Sequence, residues 1–291
     1  MMRAVKITVA ILVLLTLVWN LTVIYVDTKL SQRTYPDVYD NCNKIWSSRG
    51  LYNSYKERNS ITSFRRAFKY GAVGGEVDFS YDAKLDRFIV GHGHPKKDAD
   101  GNYIYAKKDG IILTLEKLFD AVGDEHYFWL DYKNLEHLSA KETKSAIARL
   151  QKITSQSNLR ENLYIEASNP LALPAYTEAG FKTILGIHPL PEDDFLASLV
   201  VNGYKIVYYF NDITVIAMPY GSLERPVYGQ NTAEALLSIP RFIFHIPDDK
   251  VLLHHLLADK EVRVLLVGRD KSIDRFVENN CHDNISKILK N

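Results

Sequence analysis

The sequence lacks an excess of either charge: its 36 lysines and arginines face 35 aspartates and glutamates, for a formal net charge of +1. It also lacks a run of basic residues, which disfavours nucleic-acid binding as its function. No glycine-rich phosphate loop occurs, so nucleoside triphosphate chemistry has no support. Repeats are absent as well. The 46% hydrophobic content is enough to bury a full core, in one large domain or two small ones.

Cysteine is scarce, with Cys42 near the start and Cys281 near the end of the soluble part. In an oxidising compartment such a pair can join the two ends of one domain, and the alternative is two unrelated thiols. The compartment therefore matters for the interpretation of this pair.

One long apolar run is present, ITVAILVLLTLVWNLTVIYV, at residues 7–26. It carries no charge, and as a helix it spans roughly 30 Å, the thickness of a bilayer's hydrocarbon core. Arg3 and Lys6 precede it, so the positive-inside rule predicts a cytoplasmic N-terminus; Lys29 and Arg33 follow it and weaken that bias. A cleaved signal peptide is the rival interpretation, although no A-x-A site follows.

The apolar run divides the chain into four segments. We expect a short cytoplasmic N-terminus at 1–6, an uncleaved single-pass anchor at 7–26, a linker at 27–43 and a folded domain at 44–291. With this topology the domain lies outside the cytoplasm, in a periplasmic or extracellular space.

From residue 44 onward, eight short apolar runs alternate with helical patterns, an order that predicts a (β/α)8 TIM barrel. The runs are KIWSS (44–48), GEVDFS (75–80), YFWLDYK (127–133), NLYIEAS (162–168), KTILGIH (182–188), ITVIAMP (213–219), RFIFHI (241–246) and VRVLLVG (262–268), with RFIVGH (87–92) as an extra strand beside the second.

Acidic residues stand near the ends of two neighbouring predicted strands. Glu76 and Asp78 share one strand face, and Asp131 and Lys133 end the next run. Barrel enzymes build their sites at these strand ends, and three carboxylates at one mouth suit Mg²⁺ or Ca²⁺. Lys133, together with Arg49 after the first strand, would supply positive charge for an anionic group such as phosphate.

Five motifs resemble those of the glycerophosphodiester phosphodiesterases, in the phospholipase C-like superfamily of TIM barrels. They come in that family's order and cover about the first third of the barrel: SRG (48–50), NSITSFRRAFKYGA (59–72), EVDFSYD (76–82), FIVGH (88–92) and LDYK (130–133). No single motif is specific, but the ordered set is.

The resemblance implies a role for each matching residue. Glu76, Asp78 and Asp131 match metal-binding carboxylates, so the implied cofactor is a divalent ion. Arg49 and Lys133 match residues that hold the phosphate. His92 matches one of two catalytic histidines.

The chain departs from the family at Ser48, where the family's His-Arg-Gly motif places its first catalytic histidine, and at Gly93, where the family often has aspartate. Loss of one acid–base partner costs about 10²–10⁴-fold in rate unless another group replaces it. His94, on the same predicted strand face as His92, and His188, at the end of the fifth strand, are candidate replacements, each weighed against an ordinary polar residue. His245, in the seventh strand, is expected to be structural.

Several further expectations complete the interpretation. Ser48, Glu166 and Ser168 should line the substrate site, or simply provide polar lining of the mouth. Cys42 precedes the first strand, and Cys281 lies in the predicted last helix, which returns to the same end of the barrel. We therefore expect a disulfide between them.

Two functions remain open at this stage. The first is a membrane-anchored, metal-dependent phosphoric diester hydrolase acting on a glycerophosphodiester or a related phospholipid or glycan head group. The second is a catalytically impaired relative that binds a phosphorylated lipid or glycan. The sequence names neither the head group, nor the metal, nor the oligomeric state.

Overall fold

The computed structural model describes residues 2–93, 96–99, 103–155 and 158–268. Within these ranges, eight parallel strands close into a barrel in which the first strand pairs with both the last and the second. The barrel strands are β1 (Ile45–Ser48), β2 (Gly74–Asp82), β6 (Tyr127–Tyr132), β7 (Leu163–Ala167), β8 (Lys182–Gly186), β9 (Val215–Pro219), β10 (Arg241–Phe244) and β11 (Val262–Val267). All eight predicted strands are present, and the predicted TIM barrel is confirmed.

An extra strand, β3 (Arg87–Val90), pairs antiparallel with the part of β2 that extends beyond the barrel, as the sequence predicts. A small hairpin of β4 (Lys96–Lys97) and β5 (Tyr103–Ile104) follows it. This extra sheet stands at the mouth of the barrel, beside the ends of β2 and β6.

Helices connect the strands and cover the outside of the barrel. They are α1 (Met2–Leu30), α2 (Ile61–Lys69), α3 (Leu115–Val122), α4 (Ala140–Ile153), α5 (Pro174–Glu178), α6 (Ala197–Phe210), α7 (Gln230–Leu236) and α8 (Lys250–Ala258), with short 3₁₀ turns at Leu135–His137, Asn158–Asn162 and Pro170–Ala172. Ser60 begins α2 and Ser139 begins α4, each through a capping box that satisfies free backbone N–H groups.

Large aromatic side chains fill the inside of the barrel. Trp46, Trp129, Tyr164 and Phe242 are all buried there and contact one another through their rings. The strands are buried on the helix side as well, which is why the sequence shows continuous apolar runs rather than alternation.

Residues 27–43 are not a free linker. The helix α1 extends to Leu30, beyond the predicted end at Val26, and both of these side chains are buried against the barrel. The chain then passes beneath the barrel, where Val38 and Tyr39 join the inner core and the Tyr39 N–H donates to the Tyr164 hydroxyl at 2.7 Å. The segment therefore closes the end of the barrel opposite the mouth.

The first part of α1 is exposed to its surroundings. Val5–Leu30 is long and apolar enough to cross a membrane, with a mean hydropathy of 2.5, and a signal sequence would have the same properties. The predicted apolar N-terminal helix is therefore present.

Candidate active site

A cavity of about 420 Å³ opens at the carboxyl ends of the barrel strands. Its lining combines charged and polar groups with a few apolar side chains: Ser48, Arg49, Glu76, Trp129, Asp131, Lys133, Glu166, Ser168, His188, Phe244, His245, Ile246, Leu266, Val267 and Gly268. The fold thus brings together residues from six strands and, with His188, from the connection that follows a seventh.

Three carboxylates form the acidic centre of this site. Glu76 and Asp78 point inward from β2, and Asp131 is the direct parallel-strand neighbour of Asp78 on β6. One oxygen from each lies within 4.8 Å of the others. Glu76 is nearly buried, and Asp78 is fully buried.

Two cations reach the same carboxylates. The Arg49 Nε lies 2.8 Å from Oδ2 of Asp78, and its Nη2 lies 3.6 Å from Oε1 of Glu76. The Lys133 Nζ lies 2.8 Å from Oδ1 of Asp78 and also contacts Asp131. Arg49 adopts a left-handed backbone conformation, with a φ of 61°, at the turn that follows β1.

Asn59 is a member of the site that sequence reasoning missed. Its Nδ2 donates to Oδ2 of Asp78 at 2.7 Å, and its Oδ1 accepts the Asp78 N–H at 3.1 Å. Its own N–H donates to the Arg49 carbonyl at 3.0 Å. The side chain is fully buried and holds Asp78 in place beside Arg49.

His92, which follows β3, also contacts Asp78. Its Nδ1 is 3.2 Å from Oδ2 of Asp78, and its side chain is 39% exposed. It lines a second cavity, of about 400 Å³, whose other walls include Tyr105 and Lys108. His92 thus contacts the acidic centre while lining this second cavity.

The remaining polar groups surround the acidic centre. The Ser48 Oγ donates to Oε2 of Glu76 at 2.6 Å, and the Trp129 Nε1 donates to Oε2 of Glu166 at 2.5 Å. Gly186 on β8 leaves room for Glu166, since a Cβ at that position would lie 2.4 Å from Oε1 of Glu166. Ser168 and His188 line the same cavity.

His245 does not lie within its strand, where the sequence predicted it, and its expected structural role stays a prediction. It follows β10 instead of lying within the strand, its φ is 51°, and its side chain lines the main cavity. Burial lowers the pKa of His245, and the positive charge of Arg49 and the neighbouring His188 lower it further. His94 and Cys281 lie outside the described residues. The catalytic role of His94 and the disulfide between Cys42 and Cys281 therefore stay predictions.

The carboxylates of this site carry unbalanced negative charge. Burial, followed by the charge of Asp78, raises the pKa of Glu76 to about 7. Burial also raises the pKa of Asp131 and of Glu166. For Asp78 burial acts in the same direction, but the hydrogen bond from His92 and the two cations outweigh it and lower its pKa.

A divalent cation fits this set of residues. Four carboxylates face two cationic side chains, so an added positive charge would relieve the repulsion. The three clustered groups offer only oxygen donors, which Mg²⁺ and Ca²⁺ prefer.

No family model matches the sequence, and no curated protein matches it. Solved structures do. A glycerophosphodiester phosphodiesterase from Thermotoga maritima is 18% identical with a TM-score of 0.55, over 80% of this chain and 96% of that one. One from Parabacteroides distasonis is 15% identical with a TM-score of 0.54, over 87% and 98%.

A phosphodiesterase from Oleispira antarctica, solved in complex with the product sn-glycerol-3-phosphate, is 13% identical with a TM-score of 0.55, over 81% of this chain and 96% of that one. At such identities, the likeness establishes the architecture of the chain. The protein has the (β/α)8 barrel fold of the glycerophosphodiester phosphodiesterases.

Proposed function

We propose that this protein is a membrane-anchored, metal-dependent phosphoric diester hydrolase. The observation that carries the proposal is the grouping of three carboxylates, two of them buried, with Arg49 and Lys133 at the mouth of the barrel. Such a site attracts a divalent cation and a phosphate at the same time. The fold shared with glycerophosphodiester phosphodiesterases supports the same reaction class.

Glu76, Asp78 and Asp131 would hold the metal ion, which would act as a Lewis acid on the phosphate when bound. Arg49 and Lys133 would neutralise the negative charge that grows on the phosphate oxygens during the reaction. Both cations are fixed by contacts to Asp78, so they would need little rearrangement to do so.

Proton transfer is assigned to His92. Its Nδ1 faces Asp78, which would fix the ring and leave Nε2 for the substrate. The second cavity, which His92 lines, would then receive one of the two substituents of the phosphodiester. His188 and His245 stand at the main cavity and are candidates for the second acid–base role, which Ser48 does not fill.

The alternative function is a phosphate-binding relative with little turnover. Ser48 favours it, because the hydroxyl is engaged with Glu76 and is a poor acid or base at neutral pH. In this version the protein binds a phosphorylated lipid or glycan head group with the same cations.

We further propose that α1 is an uncleaved anchor, with its N-terminus in the cytoplasm and the barrel in a periplasmic or extracellular space. The exposed apolar surface of the first part of α1 supports this proposal. The ligand is a glycerophosphodiester or a related phospholipid or glycan head group.

The two functions are separated by an assay of the purified full chain. Glycerophosphodiesters, glycerophosphoinositol and a chromogenic phosphodiester are incubated with and without Mg²⁺ or Ca²⁺. Metal-dependent turnover that changes only modestly in Ser48→His supports the hydrolase. A nearly inert wild type whose turnover rises in Ser48→His supports the binding protein instead.

A further inference from the structure

The helix α1 runs parallel to α6 along the outside of the barrel. A Cβ on Gly203 would lie 3.7 Å from the Trp19 ring, the Tyr25 and Tyr209 rings are 5.9 Å apart, and Arg33 bonds Asp212 at 3.0 Å. The residue numbers of these contacts increase together on both helices, so the two helices run in the same direction. In a barrel the helix that follows a strand starts at the mouth, so α1 projects beyond the mouth and its carboxyl end lies at the opposite end.

The uncharged run of α1 overlaps the side of the barrel. Ala197, the first residue of α6, stands about 9 Å closer to the mouth than Gly203, at the level of about Val13 on α1. Between Lys6 and that level, α1 provides only about 10 Å, far less than the roughly 30 Å hydrocarbon core. A bilayer crossed by α1 therefore extends down the outer surface of α6.

The sequence of α6 is compatible with such surroundings. Lys205 is its single charged residue, and the side chain is 2% exposed. Its Nζ lies 2.5 Å from Oδ1 of Asp27 on α1 and donates to the Ala235 carbonyl at 2.8 Å. No charge on α6 faces outward.

Apolar side chains are also exposed on the mouth next to α6. They belong to the connections that follow β7, β8 and β9, three consecutive strands of the barrel. We name them the apolar rim: Leu171, Phe195, Leu196, Leu199 and Leu223. Phe195 is 91% exposed, so in water nearly all of its apolar surface would contact solvent.

An ion pair and hydrogen bonds connect the loops of the apolar rim. Arg225 pairs with Asp193 at 3.0 Å and joins the loop after β9 to the loop after β8. Glu192 accepts the Gly229 and Thr232 N–H groups, at 3.1 and 2.7 Å. These contacts connect the loops that carry the apolar side chains of the rim.

We infer that the apolar rim and the outer surface of α6 contact the lipid of the bilayer that α1 crosses. Trp19 to Leu30 of α1 fix this orientation by packing on α6. The attraction is apolar, and it requires that α1 stays attached to the chain. The inference is independent of whether the site hydrolyses its ligand.

The test uses the full chain in vesicles of radiolabelled phosphatidylcholine, which accepts the cross-link from a photoreactive residue in the protein. The photo-cross-linking residue p-benzoylphenylalanine replaces Phe195 or Leu223 in the rim, Leu12 in α1, or Tyr70 at the end of α2, across the barrel and away from the mouth. All four side chains are exposed, so the core is untouched. Unchanged thermal unfolding of each variant verifies this.

We expect lipid adducts at Phe195 and Leu223 at several-fold the yield at Tyr70, with Leu12 as the positive control. The adducts should persist in about 0.5 M salt, which screens electrostatic adsorption. Adducts at Leu12 alone, equal yields at Phe195 and Tyr70, loss of the rim adducts in salt, or removal of α1 during maturation would each overturn the inference.

Discussion

The Ser48 hydroxyl donates a 2.6 Å hydrogen bond to Oε2 of Glu76. It does so where the resemblance places a catalytic histidine, so this position supports a buried carboxylate instead of offering a ring nitrogen to substrate. Glu76 nevertheless keeps a pKa of about 7, because burial and the charge of Asp78 outweigh the hydrogen bond. The ionised form of this carboxylate is therefore destabilised in the fold, and a bound metal ion would stabilise it.

The first prediction concerns stability without metal. Glu76→Gln removes a carboxyl whose pKa burial raises to about 7, so it should raise the free energy of unfolding at pH 8 by up to about 3 kcal/mol. The same variant should lose the increase in Tm that millimolar Mg²⁺ or Ca²⁺ gives the wild type. Thermal unfolding measures both, with exposed Glu161→Gln as the control. A wild type that does not respond to either ion contradicts the metal site.

The second prediction is the pH dependence of metal binding. Glu76 takes up a proton on folding between about pH 4.5 and 7, so stability without metal should fall as the pH rises through this range. A metal ligand must be deprotonated, so the affinity for Ca²⁺ or Mg²⁺ should rise about 10-fold between pH 6 and 8. Titration calorimetry at the two pH values gives the ratio. An affinity independent of pH would argue against Glu76 as a ligand.

The third prediction concerns Asn59. Removing its side chain leaves Asp78 without two hydrogen bonds in a buried position, so Asn59→Gly should destabilise the fold by about 2–4 kcal/mol. Asn59→Ala should cost about 1 kcal/mol more, because the φ of 58° strains a residue with a Cβ. Denaturant unfolding compares them with Asn162→Ala, whose side chain is exposed. Equal stability of all three variants would remove Asn59 from the site.

The fourth prediction concerns the docking of α1. Asp27→Asn leaves the buried Lys205 ammonium with one carbonyl partner, at an expected cost of about 1–3 kcal/mol. Asp212→Asn breaks the exposed pair with Arg33 and should cost at most about 1 kcal/mol. Thermal unfolding in detergent ranks the two variants. The reverse order would mean that α1 does not pack on α6.

The strands were predictable because barrel strands are buried on both faces. The run at 213–219, for example, contains β9 (Val215–Pro219), and its apolar length alone identifies it. The acidic centre was predictable for a related reason: side chains two residues apart on a strand share a face, and parallel strands end together.

The parts that sequence reasoning missed depend on backbone turns and on packing. Asn59 reaches Asp78 through a left-handed turn, and His245 leaves its strand at another. No pattern of apolar residues in the sequence predicts either of these left-handed turns. The apolar run of α1 also gives no sign that its last turns pack on protein, because contact with lipid and contact with α6 both select apolar side chains.

The central claim is that the acidic centre and His92 act together in phosphodiester hydrolysis. The most direct test is the kcat/KM of the purified full chain for a glycerophosphodiester, with added metal and with chelator, in the wild type and in His92→Ala. We predict turnover that requires the metal and falls by about 10²–10⁴-fold in His92→Ala, while His137→Ala, at an exposed site, matches the wild type. Turnover that persists undiminished in chelator, or in His92→Ala, would contradict the account.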